Sequence, residues 1–224
     1  MRTQTFRAID GLDLAPEHRA LLHPGEAKED SHENVHHLPR FFYEIASWDE
    51  ARDIRLTPHF TVAELMMVDC READVLLRKF PHYVPCAILL LARFLEDFRR
   101  EVDGPVFVSA NGGYRSPAHQ IGEGKSIHAW ATAADIYRIG DTFLDDAKSI
   151  ERYGTIAASL SPAVFFRPPF SSINQEIEFC FQTNHCTRWR DAKFCTRKQT
   201  AQISPRIFHA SKNVSMRFTT SPWS

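Results

Sequence analysis

The stretch VPCAILLLARFLEDFRREVDG, residues 84 to 104, constrains the fold more than any other part of the chain. Ile88, Leu91, Ala92, Leu95, Phe98 and Val102 recur at helical spacing, so one face of a long helix must be buried. Pro85 suits a first helical position, and Gly104 suits the helix end. PVFVSA, residues 105 to 110, follows at once and reads as a buried strand, after which NGG turns the chain.

Other elements surround this pair. Thr61 and Glu64 form a T-x-x-E capping box flanked by Phe60 and Leu65, which predicts a short helix from about residue 62. ATAADIYRI, residues 131 to 139, is a second strand candidate, and AVFFRP, residues 163 to 168, is a third. Residues 141 to 160 predict another helix, with Leu144, Ala147, Ile150, Ala157 and Leu160 inward. Helices and strands without a regular β-α-β repeat point to an α+β domain with a small antiparallel sheet and flanking helices. Three regions are expected: a polar extension over 1–55 with loops and short helices, a core unit over 56–167, and an atypical tail over 168–224.

Charge and cysteine content exclude several classes. A net charge of -1 gives no reason to expect nucleic acid as a partner. After Asp191 there is no acidic residue, while Lys193, Arg197, Lys198, Arg206, Lys212 and Arg217 are basic. The tail follows neither structural period. It reads as a loose, disordered extension, or as sequence out of register with its own gene. The 5 cysteines, Cys180, Cys186 and Cys195 among them, form no C-x-x-C and no secreted disulfide framework. No uncharged apolar run approaches the roughly 20 residues of a membrane span. The N-terminus has no apolar signal core, which places the chain in the cytoplasm unless another route exports it.

Two motifs carry metal chemistry. HENVH, residues 32 to 36, matches H-E-x-x-H. On a helix His32 and His36 would share a face and Glu33 would act as base, giving a zincin-type protease. Its flanks are polar, and Pro39 limits a helix there. The second motif is His128 with Asp135. On one ideal helix they would stand about 10 Å apart along the axis, and on one straight strand they would face opposite sides. They can share a metal only if the chain bends between them, and the small residues Ala129, Ala131, Thr132, Ala133 and Ala134 permit close packing at a bend.

The wider stretch, residues 108 to 141, resembles the zinc D-alanyl-D-alanine carboxypeptidases and dipeptidases of bacterial cell-wall metabolism, the M-fifteen peptidase group, related in fold to the Hedgehog signalling domain. GGYRS, residues 112 to 116, is similar to that family's S-G-Y-R-S, and Ser126, His128, Ala133 and Asp135 match its S-x-H-x-x-G-x-A-x-D segment. The resemblance covers roughly residues 56 to 165. It implies that His128 and Asp135 ligate Zn2+, and that Arg115 binds a substrate carboxylate or stabilises an oxyanion. Ser126 would lie at the substrate, a peptidoglycan peptide. Ala131 stands where the family has glycine, and the family's C-terminal H-x-D segment, with the third ligand, is not visible. His185 and His209 are the histidines that follow His128; the third ligand is expected at His185, with His209 as the alternative, and Glu176 or Glu178 would supply a base near His185. His119 reads as structural. If the metal site is incomplete, the chain is instead a non-catalytic relative that binds cell-wall peptide or serves structurally.

Overall fold

The computed structural model describes residues 6–29, 35–67, 79–119, 126–167 and 177–181. In chain order these form β1 (Ala8–Asp10), α1 (Pro16–Leu22), β2 (Ala27–Glu29), β3 (Val35–His37), β4 (Phe41–Ile45), α2 (Trp48–Asp53), α3 (Val62–Leu65) and β5 (His82–Pro85). Then come α4 (Ile88–Glu101), β6 (Val106–Val108), a 3-10 turn (Ile127–Trp130), β7 (Ala133–Ile139), β8 (Thr142–Phe143), α5 (Ala147–Leu160), β9 (Val164–Arg167) and β10 (Ile177–Phe181). The chain is mixed α and β, with small antiparallel sheets, as the sequence implies. One sheet runs β1-β4-β5, another β6-β7-β10-β9 with β8 beside β7, and β2 pairs β3. Among the described residues no helix is long and apolar enough to cross a membrane.

The amphipathic helix is present as α4. It buries Ile88, Leu91, Ala92, Leu95 and Phe98. The same core takes in Ile45 and Val84 from one sheet, Val106, Ile136 and Ile139 from the other, and Ile150, Tyr153 and Ala157 from α5. Area removed from water favours this arrangement by about 1.5–3 kcal/mol for each large apolar side chain.

The helix boundaries differ from expectation for local reasons. Pro85 ends β5 opposite Phe42 and does not open α4. An edge strand tolerates a residue with no N–H, and the next N–H, from Cys86, donates to the Phe41 carbonyl at 3.1 Å. At the other end Asp103 adopts the left-handed conformation (φ 48°), one residue before the glycine expected to do so. α5 starts at Ala147 because the Asp146 side chain accepts from the Lys148 and Ser149 N–H groups. Residues 142–143, placed in that helix by pattern, form β8. The capping box at Thr61 and Glu64 is formed in full, but its helix spans only Val62–Leu65.

Residues 6–29 and 35–55 hold more strand than a polar extension suggests. The aromatic run at Phe41–Ile45 makes β4 the central strand of its sheet, with Phe42 and Ile45 buried. Downstream, β10 lies beyond the 56–167 unit and sits between β7 and β9. The other tail residues named above, including Cys186, Cys195 and His209, lie outside the described residues.

One charged group is buried in α4. Glu96 is 5% exposed; it accepts from the His59 backbone N–H at 3.2 Å and from His59 Nδ1 at 2.7 Å. Burial pushes its carboxyl up, but hydrogen bonds from His59 and Thr57 together with the charge of His59 outweigh this and hold it below its ordinary value of 4.5. A carboxyl depressed in the folded state stabilises above its unfolded pKa, and that contribution is lost as pH falls through the folded value. Glu96→Gln is therefore expected to lower the melting temperature at pH 7. The gap to the parent should close progressively below pH 4.5. A gap that stays constant from neutral to acid pH would assign the effect to packing.

Candidate metal centre

Residues 109 to 115 thread between α3 and β7, and the contact leaves no room for side chains at its centre. A Cβ on Gly113 would stand 2.2 Å from the Leu65 carbonyl oxygen, and one on Gly112 would stand 2.8 Å from the Asp135 carbonyl oxygen. Both backbone units are used. The Gly112 carbonyl accepts from the Asp135 N–H at 2.8 Å, and the Tyr114 N–H donates to the Leu65 carbonyl at 2.6 Å. The glycine pair read as a turn is thus also a close passage.

The Gly113 carbonyl accepts from His128 Nδ1 at 2.7 Å. A carbonyl can only accept, so Nδ1 carries the proton. In the neutral ring the lone pair is then on Nε2. Metal-ligating histidines are oriented by this kind of bond from the other ring nitrogen. Nε2 lies 3.4 Å from Asp135 Oδ1, with the His128 side chain fully buried and Asp135 15% exposed.

That separation bears on zinc. It is long for a direct hydrogen bond. Nitrogen and oxygen ligands about 2.1 Å from a tetrahedral zinc stand roughly 3.4 Å apart. The separation of the two side chains equals that of two corners of such a site.

The bend that brings them together is explicit. Ser126 caps the 3-10 turn, its Oγ accepting from the His128 N–H at 3.3 Å. Ala131 then adopts the left-handed conformation (φ 53°, ψ 39°) and β7 begins at Ala133. This conformation favours glycine, so Ala131, where the resembled pattern has glycine, is strained. Asp135 itself sits in β7 with its N–H on Gly112 and its carbonyl on the Ser109 N–H.

Arg115 completes the described part of the site. Its Nη2 is 3.8 Å from Asp135 Oδ2 and donates to Ser126 Oγ at 3.4 Å; its backbone N–H donates to the His128 carbonyl. The Ser126 hydroxyl, expected at the substrate, is engaged with Arg115 and with its own turn. His119 is buried, with Nε2 donating to Asn111 Oδ1 at 3.2 Å. Asn111 has φ 65°, so this bond braces the strained residue that opens the glycine passage.

Other expected residues fall elsewhere. His36 lies on strand β3 opposite Lys28, so the helix that H-E-x-x-H requires is not formed at its second histidine. Pairing with β2 overrides the motif. His32 and Glu33 are outside the described residues, as are His185 and Glu176. Among the described residues no group of three or more His, Cys, Asp and Glu side chains is placed to hold a metal. Glu178 occupies the β10 position directly opposite Asp135. Sequence reading missed the contact from the N-terminal region, where Trp130 Nε1 donates to the His37 carbonyl at 2.8 Å across 93 residues. No local signal marks such a pair.

No family model, curated protein or solved structure matches the chain.

Gly113→Ala is expected to destabilise the fold by about 1–3 kcal/mol, the usual range for overpacking, because backbone must move. The His128 ring should lose its anchor as well. Chemical denaturation and the His128 proton resonances would read the two effects. A variant as stable as the parent would show that the passage has slack.

Proposed function

We propose that the chain is a zinc-dependent D,D-peptidase-like protein of the Hedgehog/DD-peptidase fold, acting on peptidoglycan peptides. The observation that carries this reading is the His128–Asp135 pair, 3.4 Å apart with the histidine tautomer fixed by Gly113. His128 and Asp135 would hold the metal, with His185 as third protein ligand. When bound, zinc supplies Lewis acidity toward water and toward a peptide carbonyl.

The residues of the chain do the rest. Arg115 has a planar, permanently charged donor set suited to a terminal carboxylate or a developing oxyanion. Its partial burial beside Asp135 keeps that charge close to the pair. Glu178 is favoured as the proton acceptor, since its ladder position opposes Asp135. A non-catalytic relative that binds cell-wall peptide is the second reading. The observation favouring it is that two metal-ligating side chains, not three, converge among the described residues.

Zinc content separates these readings. His128→Ala and Asp135→Asn are expected to abolish stoichiometric zinc, and His36→Ala to retain it. The parent should hydrolyse peptides ending in D-Ala-D-Ala in a chelator-sensitive way. Zinc lost only from the His36 variant would sink the assignment, and zinc retained without hydrolysis would favour the binding protein.

Arg115→Lys keeps the charge but not the planar fork. It should cost roughly 10²-fold in turnover, the scale of one lost oxyanion donor, with little change in melting temperature. A large fall in stability with unchanged turnover would make Arg115 a structural partner of Asp135.

A further inference from the structure

On the other side of the GGYRS passage lies a small cavity between α1, β5 and residues 114–116. It measures about 20 Å³ and is lined by His18, Leu22, Met66, His82, Tyr114 and Ser116, among others. Two of the lining residues carry a buried polar atom with no hydrogen-bond partner among the described residues: Tyr114 Oη and His18 Nδ1. Tyr114 is 4% exposed. Leaving a buried hydroxyl unsatisfied costs about 1–3 kcal/mol, so two such atoms at one cavity need an explanation.

We infer that this cavity binds a single structural water, which bridges Tyr114 Oη to His18 Nδ1 and ties α1 to the segment carrying Arg115. Size supports this, since one water needs at least roughly 10–15 Å³ of such space and two to four polar partners. Ser116, whose Oγ accepts from the Ala118 N–H at 3.2 Å, offers its hydroxyl as a third.

His82 Nδ1 donates to the Lys79 carbonyl at 3.1 Å. Burial first, then the neighbouring His18, holds the His82 ring below its ordinary 6.5, despite the opposing pull of the Lys79 carbonyl. His82 is therefore a neutral ring above that pH. The His18 ring packs edge-on against Tyr83, with centroids 4.9 Å apart. That contact holds His18 at the cavity while Tyr114 is held by its backbone bond to Leu65. The consequence is positional: the backbone that presents Arg115 and orients His128 is braced on one side by α3 and on the other by a hydrated contact to α1. This inference does not rest on the zinc reading.

A crystal structure of the full chain tests it directly. One ordered water within hydrogen-bond distance of both Tyr114 Oη and His18 Nδ1 is expected, and Tyr114→Phe should lose it. The melting-temperature falls of Tyr114→Phe and His18→Leu should be coupled, so that the double variant falls clearly less than their sum. A dry cavity, an ion at coordination distance from His18 or His82, or additive falls would each overturn the inference. The parent structure decides the point even where a variant folds poorly.

Discussion

Everything at the candidate site depends on one backbone passage. Gly112 and Gly113 run so close to Leu65 and Asp135 that a methyl group at either position would meet carbonyl oxygen under 3 Å away. Four hydrogen bonds converge there: Asp135 N–H to Gly112, His128 Nδ1 to Gly113, Tyr114 N–H to Leu65, and Arg115 N–H to the His128 carbonyl. Each fixes a different element, namely β7, the 3-10 turn, α3 and the Arg115 segment. A segment without side chains can act as this hub because its polar groups reach their partners with nothing between them.

The pairing of His128 with Asp135 follows from that hub together with a strained residue. The left-handed conformation of Ala131 costs roughly 1–2 kcal/mol relative to ordinary backbone, and burial of the surrounding segment offsets it. Ala129, Ala131, Ala133 and Ala134 are buried. Strain and close packing at this point fix the placement of His128 relative to Asp135.

The sheet that carries Asp135 is assembled from distant sequence. β7 is flanked by β6 on one side and by β10 on the other, and β10 comes from a stretch whose pattern carries no clear period. Likewise the N-terminal strands join the core through β4 and reach the 3-10 turn through His37 and Trp130. The candidate centre therefore draws on three separated parts of the chain, and a fragment covering only the central unit would lack two of its supports.

The local features were readable from residue order alone. The α4 face, the Thr61–Glu64 box, the β7 strand and the need for a bend between His128 and Asp135 were legible because each rests on residue spacing within a dozen positions. Tertiary structure decided what spacing cannot carry. Pro85 became a strand end because Phe42 lies beside it, and His36 entered a strand because Lys28 pairs with it. Tyr114 and His18 came to share a cavity. These outcomes depend on backbone hydrogen bonds and contacts between residues far apart in the chain, and no period or motif records which distant partner a peptide group will find.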